Sequence, residues 1–578
     1  MQELVCQRSG VNRSTKQSTT RCDCKARIKI CHNDQLKWYV RSFSETHNHD
    51  LVESCGEKKH IFSHQHIDKH TKDIVRYLRE NNISLSRVDS IMGSLFGSAE
   101  KVPFSKKSLR TVCSRIAKES LQDDVVKTMD MFRDMIAKDE KFVFSAQVDD
   151  DNRLKSLMWT SGRSRFLYEH FGNAITFDTT YETNIYKMPF GMFVGVSNHF
   201  ESVIFAGVLL TNETAADFKW AFKQFVSMMG GKAPATMLTD QAKAMLIAIK
   251  AVLPETNHRW CKWHVLRKAQ EVLGHVYKKY PTFSDDFHKL ANHMLTIDEF
   301  ESAWKAISIK YGLEANPFMV RAFECRDKWA KPYFKGIFCA RMTSTQRSES
   351  ANHVLKIYIP CNSSINRFIA KYSKLISDRE NSDQECEKNT KQKSIELQCG
   401  FPVEKHASMI YTRKVYNLFK MELLKSTKYV IVPREGNNIV EVKHVQAELR
   451  DSWCKVNYII EVDNSVGYYK CECGLYEHFG IVCSHIISVF INRGVCQIPE
   501  CHIMKRWTRQ ARMSTFDPNL RTLGKDRRIE SRSFRHKVMY MSAMELVNIA
   551  EVDEKACEIA TRNLDRAKKE ISEYRHRS

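Results

Sequence analysis

Apolar and polar positions follow different periods along the chain. Short β-prone runs dominate near the start, in the middle and again after residue 425, and apolar residues spaced three and four apart predict helices between them. Runs such as AITF and TMLTD lie between helical segments, which is typical of a mixed α/β core. The predicted domains are a small β-unit (1–55), a linker and helical region (56–140), an α/β core with a helical insertion (141–390), a β-rich unit ending in a Cys/His cluster (425–510) and an amphipathic helix (540–578). The predicted fold class is therefore multidomain α/β.

Charge indicates the class of partner. The 90 Lys and Arg residues exceed the 68 Asp and Glu residues and give a formal net charge of +22, which favours nucleic acid over an anionic membrane surface. No run approaches the roughly 20 apolar residues of a membrane helix, and the start MQELVCQRSG lacks a signal-peptide core. We expect a soluble, intracellular protein with double-stranded DNA as its partner and no membrane.

The 19 cysteines are an odd number and often lie near histidines, so they favour zinc over a disulfide framework. The strongest motif is Cys471-x-Cys473-x9-Cys483-x-His485. Two close pairs of soft ligands, separated by a loop that can fold back, complete a tetrahedron around zinc and leave no open position. The spacing therefore predicts a structural zinc site.

A second set of zinc-type ligands lies in the first domain. Cys6, Cys24, His47 and His49 follow the pattern C-x17-C-x22-H-x-H, whose wide gaps make the spacing alone weak. Cys22 and Cys31 are rival ligands or plain core cysteines.

Three acidic residues form a candidate catalytic set. Asp178 in FDTTY and Asp240 in MLTDQ follow short apolar β-like runs, and Glu349 in TQRSESAN lies at the start of a predicted helix. Strand ends deliver side chains to one point, and three such carboxylates could hold two Mg²⁺ ions for an in-line attack on phosphate. Acidic triples are common in a long chain, and by spacing alone they are solvated surface residues.

The N-terminal residues resemble a known DNA-binding module. VCQRSG, RCDCKA, a strand centred on Trp38 and HNHDL are similar to the zinc DNA-binding domain of the far-red-impaired-response family, which itself resembles WRKY-type fingers. This resemblance implies that Cys24, rather than Cys22, is the ligand. Relatives usually carry a longer segment before the first cysteine, so a shortened module is expected.

Two further resemblances cover most of the remaining chain. WTSGRSRFLYEHFGNAITFDTTY, AGVLLTNETAADFKWAFKQF, LTDQAKAM, CKWH and MTSTQRSESAN resemble the Mutator-like transposase domain in their order. This resemblance implies a ribonuclease-H-like fold with Asp178, Asp240 and Glu349 as the acidic triad. It also covers Cys261-x2-His264, for which we expect a core or substrate-ordering role because two ligands do not close a zinc site. Ser161 and Asn173 stand where relatives often have Asp. The Cys471 motif, with Ile498-Pro499 and Lys505-Arg506-Trp507 after it, resembles the SWIM zinc finger.

The order of the three domains is typical of the far-red-impaired-response family. The resemblance implies a nuclear, zinc-dependent transcription regulator in plant light or developmental signalling, able to form homo- or hetero-oligomers with related proteins. The basic run from Lys525 to Lys537 suits nuclear import, phosphate contacts or a solvated surface. One alternative is an active Mg²⁺-dependent transposase, since the acidic triad is retained. Another is a protein-interaction adapter that does not bind DNA.

Overall fold

The computed structural model describes residues 2–11, 21–32, 38–51, 67–81, 83–121, 123–361, 363–432, 438–449, 455–513 and 553–577, with isolated positions between 539 and 550. The chain divides into one unit from Met1 to Arg512 and a second from Met513 to Ser578. The basic run from Lys525 to Lys537 lies outside the described residues.

The N-terminal domain is a small antiparallel sheet with the order β1 (Gln2–Val5), β2 (Arg27–His32) and β3 (Trp38–Ser44). Helices follow at Lys69–Glu80, Leu85–Leu95, Lys106–Leu121 and Asp124–Lys138. Asp68 and Ser84 cap the first two helices by accepting from backbone N–H groups. The predicted β-unit and the helical region after it are both present.

A seven-stranded sheet forms the centre of the first unit. Its strands are β4 (Val143–Val148), β5 (Leu154–Thr160), β6 (Ala174–Thr180), β7 (Phe190–Val196), β8 (Ser202–Leu209), β9 (Thr236–Thr239) and β10 (Asn257–Trp260). Their spatial order is β10-β9-β6-β7-β8-β5-β4. β6, β7 and β8 form an antiparallel meander, whereas β9 and β10 run parallel to β6. β7 is buried along its whole length, which explains its unbroken apolar run.

Helices cover both faces of this sheet. On one face, Gly162–Phe171, Ala215–Met228 and Lys243–Val252 enclose a core that includes Phe177 and Phe193. On the other, Gln346–Tyr358 and Ile365–Gln392 pack over Trp159, Phe190 and Met192. Side chains alternate between the faces along a strand, so neighbours such as Met192 and Phe193 enter different cores.

A helical insertion joins β10 to the helix Gln346–Tyr358. It has its own core around Phe287, Phe300, Trp304 and Trp329. Its helices are Lys262–Val272, Gly274–Lys279, Phe283–His293, Ile297–Tyr311, Pro317–Glu324 and Arg326–Trp329, followed by the short 3-10 helix Lys331–Phe334. The predicted helical insertion corresponds to these helices, but the sequence did not predict β10, which is only four residues long.

The β-rich unit follows two helices, Pro402–Ile410 and Arg413–Ser426. Its antiparallel strands, in order, are β11 (Tyr429–Val432), β12 (Ile439–His444), β13 (Asn457–Asp463) and β14 (Tyr468–Cys471). The helices Leu475–Phe479 and Ser484–Asn492 close it, with short 3-10 helices at Ala447–Leu449, Glu500–His502 and Lys505–Trp507. The β-prone residues after 425 predicted this sheet.

The second unit contains the helix Glu554–Arg577, on which Ile559, Ile571 and Tyr574 are exposed. Among the described residues, no helix is both long and apolar enough to cross a membrane.

Candidate metal centres and acidic site

The N-terminal cluster lies where the three strands of the small sheet end. Cys6 follows β1, Cys24 precedes β2, and His47 and His49 follow β3. Their ligand atoms all lie within 4.8 Å of one another. Cys6 Sγ is 3.2 Å from His49 Nε2, and Cys24 Sγ is 3.4 Å from His47 Nδ1. Two sulfurs and two imidazole nitrogens in a closed group are the donor set that zinc prefers.

The rival cysteines lie outside this cluster. The Cys22 thiol donates to Asn48 Oδ1 at 3.2 Å, and Asn48 Nδ2 donates back to the Cys22 carbonyl at 2.8 Å. Cys31 is buried within β2, opposite Tyr39 of β3. The structure thus groups Cys24, and neither rival, with Cys6 and the two histidines.

The C-terminal cluster joins β14 to a helix. Cys471 ends the strand, Cys473 follows it, and Cys483 caps the helix Ser484–Asn492, whose first turn carries His485. The four ligand atoms lie within 4.8 Å of one another, with Cys471 Sγ 3.5 Å from His485 Nδ1. Tyr458 stacks on the His485 ring at 3.7 Å between centroids and fixes its orientation. Three thiols converging on one imidazole in an apolar surrounding suit a zinc ion.

The loop between Cys473 and Cys483 depends on a glycine. Gly480 has φ +84°, and a Cβ there would lie 2.8 Å from Trp507 Nε1. Trp507 is fully buried and donates from Nε1 to the Phe479 carbonyl at 2.8 Å. The Lys505-Arg506-Trp507 segment therefore packs directly beneath the ligand loop.

The two aspartates meet because β6 and β9 are parallel. Thr176 pairs with Leu238, so Asp178 and Asp240, each two residues further on, reach equivalent positions, with Asp240 directly after the end of β9. Asp178 lies inside β6, opposite Met192, rather than after the strand as predicted. The helix Gln346–Tyr358 packs over this edge, and Asn352 Nδ2 donates to Asp178 Oδ2 at 3.1 Å.

The environment of the acidic site favours the neutral form of Asp178. Burial, followed by the charge of Asp240, raises the pKa of Asp178 to about 7. Burial also raises the pKa of Asp240, although the carboxylate accepts from the backbone N–H of Ala242 at 2.9 Å. Two carboxyl groups at one sheet edge therefore compete for ionisation.

Glu349 is grouped with other partners. Cys261, His264 and Glu349 place their ligand atoms within 4.8 Å of one another, with His264 Nε2 at 4.0 Å from Glu349 Oε1. Glu349 also accepts from the Thr345 hydroxyl at 2.7 Å. Among the described residues, no group of ligand atoms that all lie within 4.8 Å of one another contains Asp178, Asp240 and Glu349 together. The charge of Glu349 nevertheless contributes to the raised pKa of Asp178, so Glu349 faces the same site and the Mg²⁺ pair stays a prediction.

A fourth carboxylate, Glu213, was not predicted. It lies just beyond β8, which runs in the same direction as β6, so it reaches the same sheet edge. The Thr179 hydroxyl donates to Glu213, whose charge contributes to the raised pKa of Asp240. The sequence signal was weak, because Glu213 stands three residues after the apolar run that ends at Leu210, whereas Asp240 directly follows its strand.

Ser161 and Asn173 have structural roles outside the acidic site. Ser161 caps the helix Gly162–Phe171 by accepting from the Ser164 N–H at 3.1 Å. Asn173 Oδ1 accepts from the guanidinium of Arg506. An Asp at either position would meet the same partners, so these departures do not alter the acidic cluster.

Asp178→Asn is expected to stabilise the protein at alkaline pH. Because the folded-state pKa lies above the unfolded value, ionisation costs stability, and that cost grows as pH rises from about 4 to about 7. At pH 8 the free energy of unfolding of the variant should be about 2 kcal/mol higher than that of wild type, after allowance for solvent screening. Urea unfolding at pH 5 and pH 8 without added Mg²⁺ measures this, with the exposed Asp150→Asn as control. A constant difference at both pH values would contradict it.

Comparison with known protein families gives three matches. The model of the FAR1 DNA-binding domain matches residues 1–53, the MULE transposase domain matches residues 174–268, and the SWIM zinc finger matches residues 462–494. The first and third matches contain the two Cys/His clusters, and the second contains Asp178 and Asp240.

Relatives from Arabidopsis thaliana align along nearly the whole chain. Protein FAR1-RELATED SEQUENCE 5 is 29% identical over 99% of this chain and 73% of its own length. Protein FAR-RED IMPAIRED RESPONSE 1 is 27% identical over 97% of this chain and 68% of its own length. With the three domain matches in the same order, these alignments show that the chain is similar to the FAR1-related proteins and combines a FAR1 DNA-binding domain, a MULE transposase domain and a SWIM zinc finger.

Proposed function

We propose that the chain is a nuclear transcription regulator that reads a DNA sequence through its N-terminal domain, folded around zinc. The observation that carries this proposal is the closed cluster of Cys6, Cys24, His47 and His49 at the strand ends of the small sheet. Zinc there would connect all three strands, which bury little apolar surface of their own. The fold of the DNA-reading surface would then depend on the metal.

The surface beside this cluster suits contact with a duplex. β3 is exposed on both faces, and Trp38 and Phe43 are 58% and 64% exposed. Arg41 lies on the same strand with its side chain exposed. A twisted β-ribbon with exposed cationic and aromatic side chains can enter the major groove, where base edges are distinguishable. Sequence reading is accordingly assigned to β3 and its neighbour β2.

The central sheet is proposed to be a ribonuclease-H-like core that now serves as a scaffold. The antiparallel meander β6-β7-β8, continued by parallel β9 and β10, supports this assignment. Glu349 lies beside Cys261 and His264, and its charge also raises the pKa of Asp178, so these groups share one site. The regulator is preferred over an active transposase because the closed Cys/His cluster lies in the matched DNA-binding domain. Light or developmental signalling is the proposed setting because two relatives are named for far-red response and its related sequences.

Selection of bound sequences from a random DNA library at near-physiological salt tests the regulator. Wild type and Cys22→Ser should select the same motif, whereas Cys24→Ser/His49→Ala should select none. Cys22→Ser is a matched control because Cys22 lies two residues from Cys24 but outside the cluster. Atomic absorption on the same samples should show about one zinc fewer per chain in the double variant alone.

Three other results would each contradict part of the proposed function. If wild type binds DNA without a motif, or not at all, sequence reading is wrong for this chain and the adapter gains support. Cleavage of DNA that requires Mg²⁺ and disappears in Asp178→Asn would establish the transposase instead. A fluorescent fusion found outside the nucleus would contradict the proposed localisation.

A further inference from the structure

A cavity beside the SWIM finger has walls that are unusually rich in cations. Its volume is about 440 Å³, and it lies between β10, the helical insertion and the finger. The finger contributes Cys473, Cys483 and His485 to the lining. The basic lining residues are Arg259, Lys262, Lys331, Lys335, Arg341 and Lys425.

The cavity contains little negative charge to balance these cations. Glu422 is the single carboxylate among the described lining residues. It already accepts from Lys425 Nζ at 2.7 Å and from the Ser484 backbone N–H at 3.2 Å. The other five cations form no ion pair within the described part of the chain. A zinc ion with three thiolates would add about one negative charge to the wall, which still leaves a large positive excess.

The burial of Arg259 makes this excess of positive charge costly in free energy. It is only 1% exposed, and its Nε is buried without a hydrogen-bond partner. The guanidinium stacks on Phe334 at 4.2 Å and otherwise donates to Cys339 Sγ at 3.8 Å, which is a weak acceptor. A buried guanidinium normally has an anionic partner. In this cavity no carboxylate of the protein supplies one.

Two lysines face the same space. Lys262 Nζ donates to Asn292 Oδ1 at 2.5 Å, and Lys331 Nζ donates to the Asn292 carbonyl at 3.1 Å. Both ammonium groups therefore lie at one asparagine beside Arg259. Burial, together with the charges of Arg259 and Lys331, lowers the pKa of Lys262 to about 8.

We propose that this cavity binds a phosphate group, held by Arg259, Lys262 and Lys331. A guanidinium provides a planar fork of donors that matches two phosphate oxygens. The two ammonium groups balance the second negative charge of a phosphate, whereas a carboxylate ligand carries only one charge. The group comes either from a small phosphorylated ligand or from the backbone of bound DNA. The site stands on the geometry of the first unit and does not require the N-terminal domain to read sequence.

Calorimetric titration of the full chain with inorganic pyrophosphate, in a phosphate-free buffer, tests the site. Lys262→Gln and Lys331→Gln should each weaken pyrophosphate binding about tenfold by removing one charge-assisted contact. Lys305→Gln is the matched control, since it removes one charge from the exposed surface of the same insertion, away from the cavity. Melting curves of the free proteins check folding. Lys335→Gln, at the exposed mouth, provides a milder variant if Lys262→Gln does not fold.

A parallel titration with a short DNA duplex over a range of salt concentrations distinguishes the two sources. A backbone phosphate predicts that the cavity variants reduce the salt slope by about one while the control does not. A small ligand predicts pyrophosphate binding with an unchanged slope for DNA. If the cavity variants and Lys305→Gln behave alike in both titrations, the proposal is wrong.

Discussion

Replacing Cys483 with serine is expected to remove one zinc ion per chain and to lower the free energy of unfolding by about 5 kcal/mol. Cys483 is 1% exposed and caps the helix Ser484–Asn492, where its sulfur accepts from the Ile486 N–H at 3.5 Å. The substitution leaves two thiols and an imidazole crowded in an apolar core without their metal. The finger should therefore lose its fold together with its ion.

Thermal unfolding and zinc content measure this result together. Cys496→Ser is the matched control, because Cys496 is exposed in the segment after the same helix and lies outside the cluster. It should keep both the wild-type melting temperature and the zinc. If Cys483→Ser retains its zinc and its melting temperature, the assignment of a metal to these four residues is wrong.

Arg512→Gln is expected to cost about 4 kcal/mol at neutral pH. Arg512 donates from both terminal nitrogens to Asp383 at 2.7 Å, and it also donates to Asn198 Oδ1. The two side chains are only 15% and 10% exposed, so removal of the guanidinium leaves a buried carboxylate with the longer Arg163 contact at 3.4 Å. Breaking one partner of a buried pair costs more than the pair contributes.

The pH dependence of this cost follows from Asp383. Burial alone would raise its pKa, but the hydrogen bonds and charge of Arg512 outweigh burial and hold the pKa below its usual value. The stabilisation is therefore present above the unfolded pKa of about 3.9 and is lost as pH falls through the lower folded value. Urea unfolding of wild type and variant should differ most at pH 7 and converge in strong acid.

Arg153→Gln provides the comparison for an exposed pair. Arg153 contacts Asp151 at 3.0 Å, but the two side chains are 76% and 66% exposed. Its loss should change the free energy of unfolding by less than about 1 kcal/mol. Equal effects of Arg512→Gln and Arg153→Gln would show that burial does not set the strength of the Arg512 contact.

Local pattern predicted the regular elements of the fold well. The unbroken apolar run at β7 reflects a force that acts within a few residues, namely burial of both faces of the strand. The short strand β10 carries His258 and Arg259, and its polar sequence gives no strand-like apolar run. Its place in the sheet comes from pairing with β9, which is a long-range contact.

The residues of the candidate site also fall into two classes, those that the sequence indicated and those that depend on long-range contacts. Asp178 and Asp240 both follow apolar strand-like runs, but the resemblance to the Mutator-like transposase domain singled them out, and parallel pairing of β6 with β9 brings them together. Glu213 and the partners of Glu349 depend on which strand ends and helices share one edge, and spacing in the chain does not record that. The cationic cavity was likewise not predicted, since its lining residues come from separate segments spread between residues 259 and 485.

The tail of the SWIM finger is built into the central sheet. Arg506 donates to the Val196 carbonyl at 2.7 Å and to Asn173, and the apolar core of the finger is continuous with Ala174, Val196 and Leu238. A premature stop codon ahead of the finger, which removes the finger and every residue after it, would therefore unravel the neighbouring central sheet. Alleles truncated there should behave genetically as nulls through degradation of the whole product, and point substitutions are needed to reveal what the finger itself does.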